Sequence, residues 1–149
     1  MLSQALIVAL LLALPLTKLD PESKTPPNVA PVDAPRGSVS IAAREVTHTG
    51  AAFPERSVTR LFQTRRSALT ACYERELRAN PALTGRIVIA LTIQSTGSLG
   101  RVTVVSNALG NDAVASCASR VVSGLRFNPA PETDATFTVP IDFSLRGRR

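Results

Sequence analysis

Cysteine is the residue type with the most definite chemistry in this chain, and its two copies are Cys72 and Cys117. Each lies on the apolar stripe of a predicted helix, so the two sulfurs could meet if both helices pack on the same face of a sheet. A bridge would stabilise the fold by about 4 kcal/mol by restricting the unfolded chain, and it would require an oxidising compartment. The alternative is two buried thiols, because free cysteine is among the most buried residue types. We expect the disulfide.

The other reactive side chains form no catalytic or metal-binding pattern. His48 is the only histidine, and its neighbours predict an exposed loop. A structural zinc site usually takes four Cys or His ligands, and the sequence holds three such residues. Glu74 and Glu76 are two positions apart on a predicted helix and therefore point to different sides. We expect a protein that is not an enzyme and has neither a cofactor nor a metal.

Arginine carries nearly all of the positive charge. The chain has 17 basic and 11 acidic residues, a net charge of +6, and every basic residue except Lys18 and Lys24 is arginine. Such a surface could bind an anionic surface or nucleic acid through the arginine-rich helix and the C-terminal tail, and this is the alternative function. Only 4% of the residues are aromatic, and no nucleic-acid-binding motif occurs. We therefore interpret the arginines as a solvated surface and expect no nucleic-acid partner.

Three blocks of different composition divide the chain. Residues 1–17 contain the apolar run Ala5 to Leu14, about 15 Å long as a helix and thus shorter than a bilayer core. This predicts either a cleaved signal segment or an uncleaved anchor. Residues 18–37 form a proline-rich linker that reaches roughly 60 Å when extended. Residues 38–149 carry the periodic patterns of a folded domain.

The periodicity of the folded block predicts an α+β domain in the order β-α-β-β-α-β, with a weak first strand. Two helices would cover one face of a small antiparallel sheet. Pro140 lies inside the last strand and has no N–H for the ladder, which predicts an edge strand or a bulge there. The predicted elements are a strand at 38–47, a helix at 54–80, a hairpin at 85–94 and 99–107, a helix at 111–125 and a strand at 136–145.

Several unlike residues stand at fixed spacings from the first helix to the last strand. They are Cys72-Tyr73-Glu74 with Leu77, Asn80-Pro81 with Leu83 and Gly85, Gly97, Cys117, Arg126-Phe127 with Pro129 and Pro131, and Val139-Pro140 with Phe143. Over about residues 56–145 this pattern resembles the AgmX/PglI-type C-terminal domain of myxobacterial envelope and gliding-motility proteins, a relative of the TonB C-terminal domain. Asn128 interrupts the usual Phe-Pro of the family, and Ile141 replaces its usual Phe.

The resemblance implies a TonB C-terminal-like fold without catalysis. Proteins of the TonB type place an inner-membrane anchor, a proline-rich periplasmic linker and this domain in the same order as the three blocks here. It therefore implies a periplasmic protein, either secreted or tethered to the inner membrane through residues 2–16, with a protein partner in the cell envelope. The oligomeric state stays open, a homodimer included.

The resemblance also implies a mode of binding. In TonB the domain binds an extended segment of its partner by strand addition. Combined with the edge predicted at the last strand, this gives a set of predicted partner-binding residues: Thr138, Val139, Pro140, Ile141, Asp142 and Phe143.

Overall fold

The computed structural model of this protein describes residues 35–50 and 52–147. The predicted apolar segment 1–17 and all but the last three residues of the predicted linker 18–37 lie outside these ranges. None of the described helices is long and apolar enough to cross a membrane.

The described chain is an α+β fold of a five-stranded antiparallel sheet and three helices. The hairpin, the last helix and the last strand are confirmed within about two residues of their predicted ends. Asn111 caps the last helix by accepting the Val114 N–H at 2.9 Å. The elements are β1 (Gly37–Ile41), a 3-10 turn (Ala43–Glu45), β2 (Thr47–Gly50), α1 (Glu55–Thr64), α2 (Arg66–Leu77), β3 (Gly85–Ile93), β4 (Leu99–Asn107), α3 (Asp112–Ser123) and β5 (Ala135–Leu145).

Two predicted elements are each divided in the structure. The weak first strand is two short strands, β1 and β2, separated by the 3-10 turn. The predicted helix 54–80 is two helices that meet at Arg65, whose φ of −100° and ψ of 5° interrupt the helical path. The residues three and four positions after buried Phe62 are Arg65 and Arg66, both exposed. No apolar contact therefore holds the chain against the core at this point, and the helix axis can change direction.

β5 is the central strand of the sheet. Its partner on one side is β3, which in turn pairs with β4, and on the other side β1 and β2 pair with it one after the other. β1 covers the C-terminal part of β5, and β2 covers the N-terminal part. Every pairing is antiparallel.

The prediction that Pro140 marks an edge strand is wrong, because β5 is paired on both sides. β1 ends at Ile41 and β2 begins at Thr47, so the chain leaves the sheet between them. Pro140 lies opposite this gap, where its carbonyl accepts the Ala42 N–H at 3.1 Å. The nitrogen and carbonyl of one strand residue face the same neighbour. The nitrogen of Pro140 therefore faces Ala42, whose carbonyl does not need an N–H from the proline because it accepts the Glu45 N–H at 2.9 Å.

The core lies between one face of the sheet and the helices. The odd-numbered residues of β3 point into it, as their alternation predicts, and so do those of β5. Their partners come from all three helices, which confirms the two-layer arrangement. The largest fully buried side chains are Val39, Phe62, Leu69, Tyr73, Leu77, Ile87, Ile89, Leu91, Ile93, Phe137, Ile141 and Phe143.

Tyr73 joins α2 to the sheet and to the loop before β3. Its ring is fully buried and meets Phe143 edge to face, with ring centroids 5.3 Å apart. Its hydroxyl donates to the Leu83 carbonyl, and burial raises the pKa of this phenol. Gly37 at the start of β1 lies directly against the ring, since a Cβ there would be 2.4 Å from Tyr73 Cδ1.

The predicted disulfide is confirmed. Cys72 of α2 and Cys117 of α3 are bonded, with their Cα atoms 5.9 Å apart. The bond joins two helices that are neighbours in space but 45 residues apart in sequence. It fixes the helical layer independently of the sheet beneath it.

Removing the disulfide should destabilise the domain by about 4 kcal/mol, since the closed loop is long. In urea, this corresponds to a fall of about 2 M in the unfolding midpoint. The measurement is equilibrium unfolding with and without dithiothreitol. The Cys72→Ala/Cys117→Ala variant is the control and should be insensitive to the reductant. Superimposable wild-type curves under the two conditions would contradict the expectation.

Gly37→Ala should destabilise the domain by about 1–3 kcal/mol, because the added methyl group overlaps the buried Tyr73 ring. The ring cannot move aside while its hydroxyl is bonded and its edge packs on Phe143. Gly124→Ala is a matched control, since its nearest non-local atom is 3.8 Å away and its φ is −82°. Chemical denaturation of both variants tests this. Equal midpoints for the two would show that Gly37 is not confined.

Candidate functional site

β4 is the long edge strand of the described sheet. This nine-residue strand pairs with β3 on one side, and no described strand pairs along the other. At its beginning, the Phe127 N–H donates to the Gly97 carbonyl at 2.8 Å, and Ser98 forms an isolated bridge with Arg126. The open part of the edge therefore follows this bridge and runs to Asn107.

The alternation of the ladder shows which backbone groups face outward on β4. The Gln94 N–H donates across the hairpin at 2.9 Å, and a period of two makes Ala90 of β3 face β4 as well. Ala90 pairs with Thr103, whose backbone groups therefore point toward β3. The flanking residues Val102 and Val104 direct their N–H and C=O groups to the open edge. Unpaired groups of this kind are a template for another strand.

A β-bulge interrupts the same strand at Val105. Val88 pairs with Ser106 and Ile89 pairs with Val104, which leaves Val105 without an opposite residue. Val105 is 56% exposed and is the most exposed large hydrophobic side chain of the described residues. Bulges are over-represented at sheet edges and near functional sites, where they re-aim side chains.

A groove of about 860 Å³ lies between the β4 edge and α3. Its β4 wall includes Val104 and Val105, and the α3 wall consists mainly of short side chains. Short side chains let another backbone come close to the helix. Asp112 and Arg120, eight residues apart on α3, give the groove one negatively charged and one positively charged side chain. The α3 residues that line it are Asp112, Ala115, Ser116, Ser119 and Arg120.

The sequence-predicted partner-binding residues 138–143 lie in the interior of the sheet. Val139, Pro140, Ile141 and Phe143 are buried, and β5 is paired with β3 on one side and with β1 or β2 on the other. A strand could be added there only after β1 or β2 was displaced. The sequence signal that the prediction missed is the pair Val104-Val105, which breaks the alternation of β4 and marks the bulge.

The opposite face of the sheet carries an arginine held by two carboxylates. Arg86 of β3 donates from Nε to Asp142 Oδ1 at 2.6 Å and from Nη2 to Asp142 Oδ2 at 3.2 Å. It also pairs with Glu45 of the 3-10 turn. The hydrogen bonds to Asp142 and Glu45 raise the pKa of this guanidinium. The cluster joins β3, β5 and the turn, and its charged groups are occupied by one another.

His48 is exposed, as predicted, but the predicted loop is wrong because the residue lies in β2. The strand forms because residues 47–50 pair with 135–138 of β5, a contact that local sequence does not encode. The imidazole stacks on Phe137 at 5.4 Å, and its Nδ1 lies 3.0 Å from Glu55 Oε1. The described residues contain no group of three or more His, Cys, Asp and Glu residues that could hold a metal ion.

Among the described residues, the β4 edge with its groove is thus the candidate site for a partner. Its chemistry is that of backbone hydrogen bonding beside a shallow, mixed surface, whereas the Arg86 and His48 clusters are satisfied internally. Comparisons with protein-family models, with curated proteins and with solved structures find no match for this chain.

Proposed function

We propose that this protein is a non-catalytic interaction module of the bacterial cell envelope, and that it binds an extended segment of a partner protein by strand addition at β4. The observation that carries the proposal is the outward direction of the backbone groups of Val102 and Val104 beside the α3 groove. An added strand would satisfy these groups and place alternate side chains in the groove.

The opposite edge of the sheet, formed by β1 and β2, is a poorer template for an added strand than β4. β1 has five residues and β2 has four, and the 3-10 turn separates them. Short and interrupted strands are one way in which proteins protect an edge from unwanted pairing. β4 has nine residues and carries an exposed valine next to its outward-facing groups.

The groove also indicates which side chains the partner strand would carry. The short side chains of Ala115, Ser116 and Ser119 leave room for small or β-branched residues on the inward face of the added strand. Arg120 at one end favours an acidic residue in the segment. The side chains on the outward face of the added strand could be polar, because they would point away from the groove.

The cellular setting of the proposal follows from the resemblance and from the disulfide. The pattern of residues 56–145 is similar to the AgmX/PglI and TonB C-terminal domains, which act in the envelope and, for the former, in gliding-motility proteins. A structural disulfide is typical of the periplasm and other oxidising compartments. We propose a periplasmic protein, secreted or tethered through residues 2–16, with a TonB C-terminal-like topology.

The test begins with extended peptides selected on the full-length protein from a displayed library of random sequences. Val104→Pro should lower the affinity for the selected peptides by about tenfold or more. The substitution removes the Val104 N–H and leaves a carbonyl of the bound peptide without its hydrogen-bond donor. Ile41→Pro is the matched control. The Ala42 N–H points into the sheet, so the N–H of Ile41 faces outward on the opposite edge. It should leave peptide affinity unchanged.

A second measurement covers the case in which a proline variant fails to fold. In the wild-type protein, saturating peptide should slow the hydrogen exchange of the Val102 and Val104 amides and leave the Ile41 amide unaffected. Protection at the β1 edge, or equal losses from both proline variants, would overturn the proposal. Peptide affinity should also depend little on salt, whereas an affinity that falls steeply with salt would indicate binding by charge alone.

A further inference from the structure

Four exposed arginines of the described chain lie on one continuous surface, here called the arginine face. Arg56 and Arg60 line a shallow hollow beside the 3-10 turn, and Arg66 and Arg146 line a second one. Gln63 of α1 lines both hollows, so the two are contiguous. The backbone of Arg36 lies beside this surface, because its carbonyl accepts the Arg146 N–H at 2.8 Å.

The acidic residues of this surface are engaged elsewhere. Glu55 contacts the His48 imidazole, and Glu74 accepts the Gly37 N–H at 3.0 Å. None of these four arginines forms an ion pair with a carboxylate of the described residues, in contrast to Arg86, which holds two. The arginine face therefore carries a net positive charge, with four arginines against Glu55 and Glu74.

Both ends of the described chain emerge at this face. β1 and β5 are antiparallel, which brings Arg36 and Arg146 together, and two further arginines end the sequence at 148 and 149. In the other direction, a proline-rich stretch of about 20 residues connects Arg36 to the apolar run Ala5 to Leu14. That stretch reaches roughly 60 Å when extended, so an apolar run held in a bilayer would tether the domain to the membrane at up to about this distance.

The chemistry of the surface favours lipid headgroups over nucleic acid. All six aromatic residues, five Phe and one Tyr, are buried in the core, and none is available to stack on a base. The apolar side of α1 is also buried, through Val58 and Phe62, so this helix can offer charge but no insertion. Guanidinium groups pair well with the phosphates of an anionic membrane surface.

We propose that the arginine face docks on anionic phospholipid headgroups. The contact is electrostatic and peripheral. It adds to any membrane affinity that the apolar N-terminal run provides. The face lies on the β1 side of the sheet, whereas β4 is the opposite edge strand. A docked domain would therefore keep the β4 groove directed away from the lipid and open to a partner.

The experiment uses the full-length protein with vesicles of equal parts phosphatidylglycerol and phosphatidylcholine, and with vesicles of phosphatidylcholine alone. Phenylglyoxal labels accessible arginines, and mass spectrometry locates the labels. Arg56 and Arg60 should be protected by the anionic vesicles at low salt, exposed again at high salt, and unprotected by the neutral vesicles. Arg78 and Arg101 should be labelled equally in every condition. Because labelling reports on the face itself, insertion of the apolar run does not confuse the result.

Matched variants complete the test. Arg56→Gln/Arg60→Gln should weaken the anionic-specific part of vesicle binding by about fivefold per arginine. Arg78→Gln/Arg101→Gln removes the same charge from other exposed sites and should leave it unchanged. Equal loss from both variants, or labelling that does not distinguish the two kinds of vesicle, would overturn the proposal. So would stronger protection of Arg56 and Arg60 by single-stranded DNA than by the anionic vesicles at the same salt, which would assign the face to nucleic acid.

Discussion

The pairing of β5 on both sides is the constraint on which the rest of this fold depends. Eleven residues make β5 long enough to receive two short strands end to end along one side and β3 along the other. Because the last strand of the chain is also the central one, the sheet is complete only when the whole described sequence is present. The Arg86 cluster, which holds Asp142 and Glu45 together, braces the point where the two short strands separate.

The helical layer is held to this sheet by two different kinds of contact. The disulfide fixes α2 to α3 within the layer, and Tyr73 fixes α2 to β5 and to the loop before β3. The first restricts the unfolded chain, and the second depends on close packing in the folded one. Since they act on different states, the two kinds of stabilisation do not replace each other.

Local pattern was sufficient for some elements and not for others. The alternation at Ile87, Ile89, Leu91 and Ile93 predicted β3 and its buried face, and the apolar stripes of the helices predicted that the two cysteines meet. Such features depend on residues a few positions apart. The order of the strands does not, and the sequence therefore did not indicate that β5 would be central or that His48 would be drawn into a strand by residues 135–138. The site was misplaced for the same reason, because an edge is defined by the absence of a distant neighbour.

Pro140 lies opposite the interruption between β1 and β2. Between the paired ends of β1 and β2, the five residues 42–46 lie opposite only Val139 and Pro140 of β5, so three residues must leave the sheet. The surplus forms the 3-10 turn beside Pro140, and the Glu45 N–H of this turn bonds the Ala42 carbonyl, for which a proline has no donor. The outer border on that side never becomes a long template for pairing between molecules. The surplus of three residues beside this proline thus leaves β4 as the one long edge strand of the described sheet.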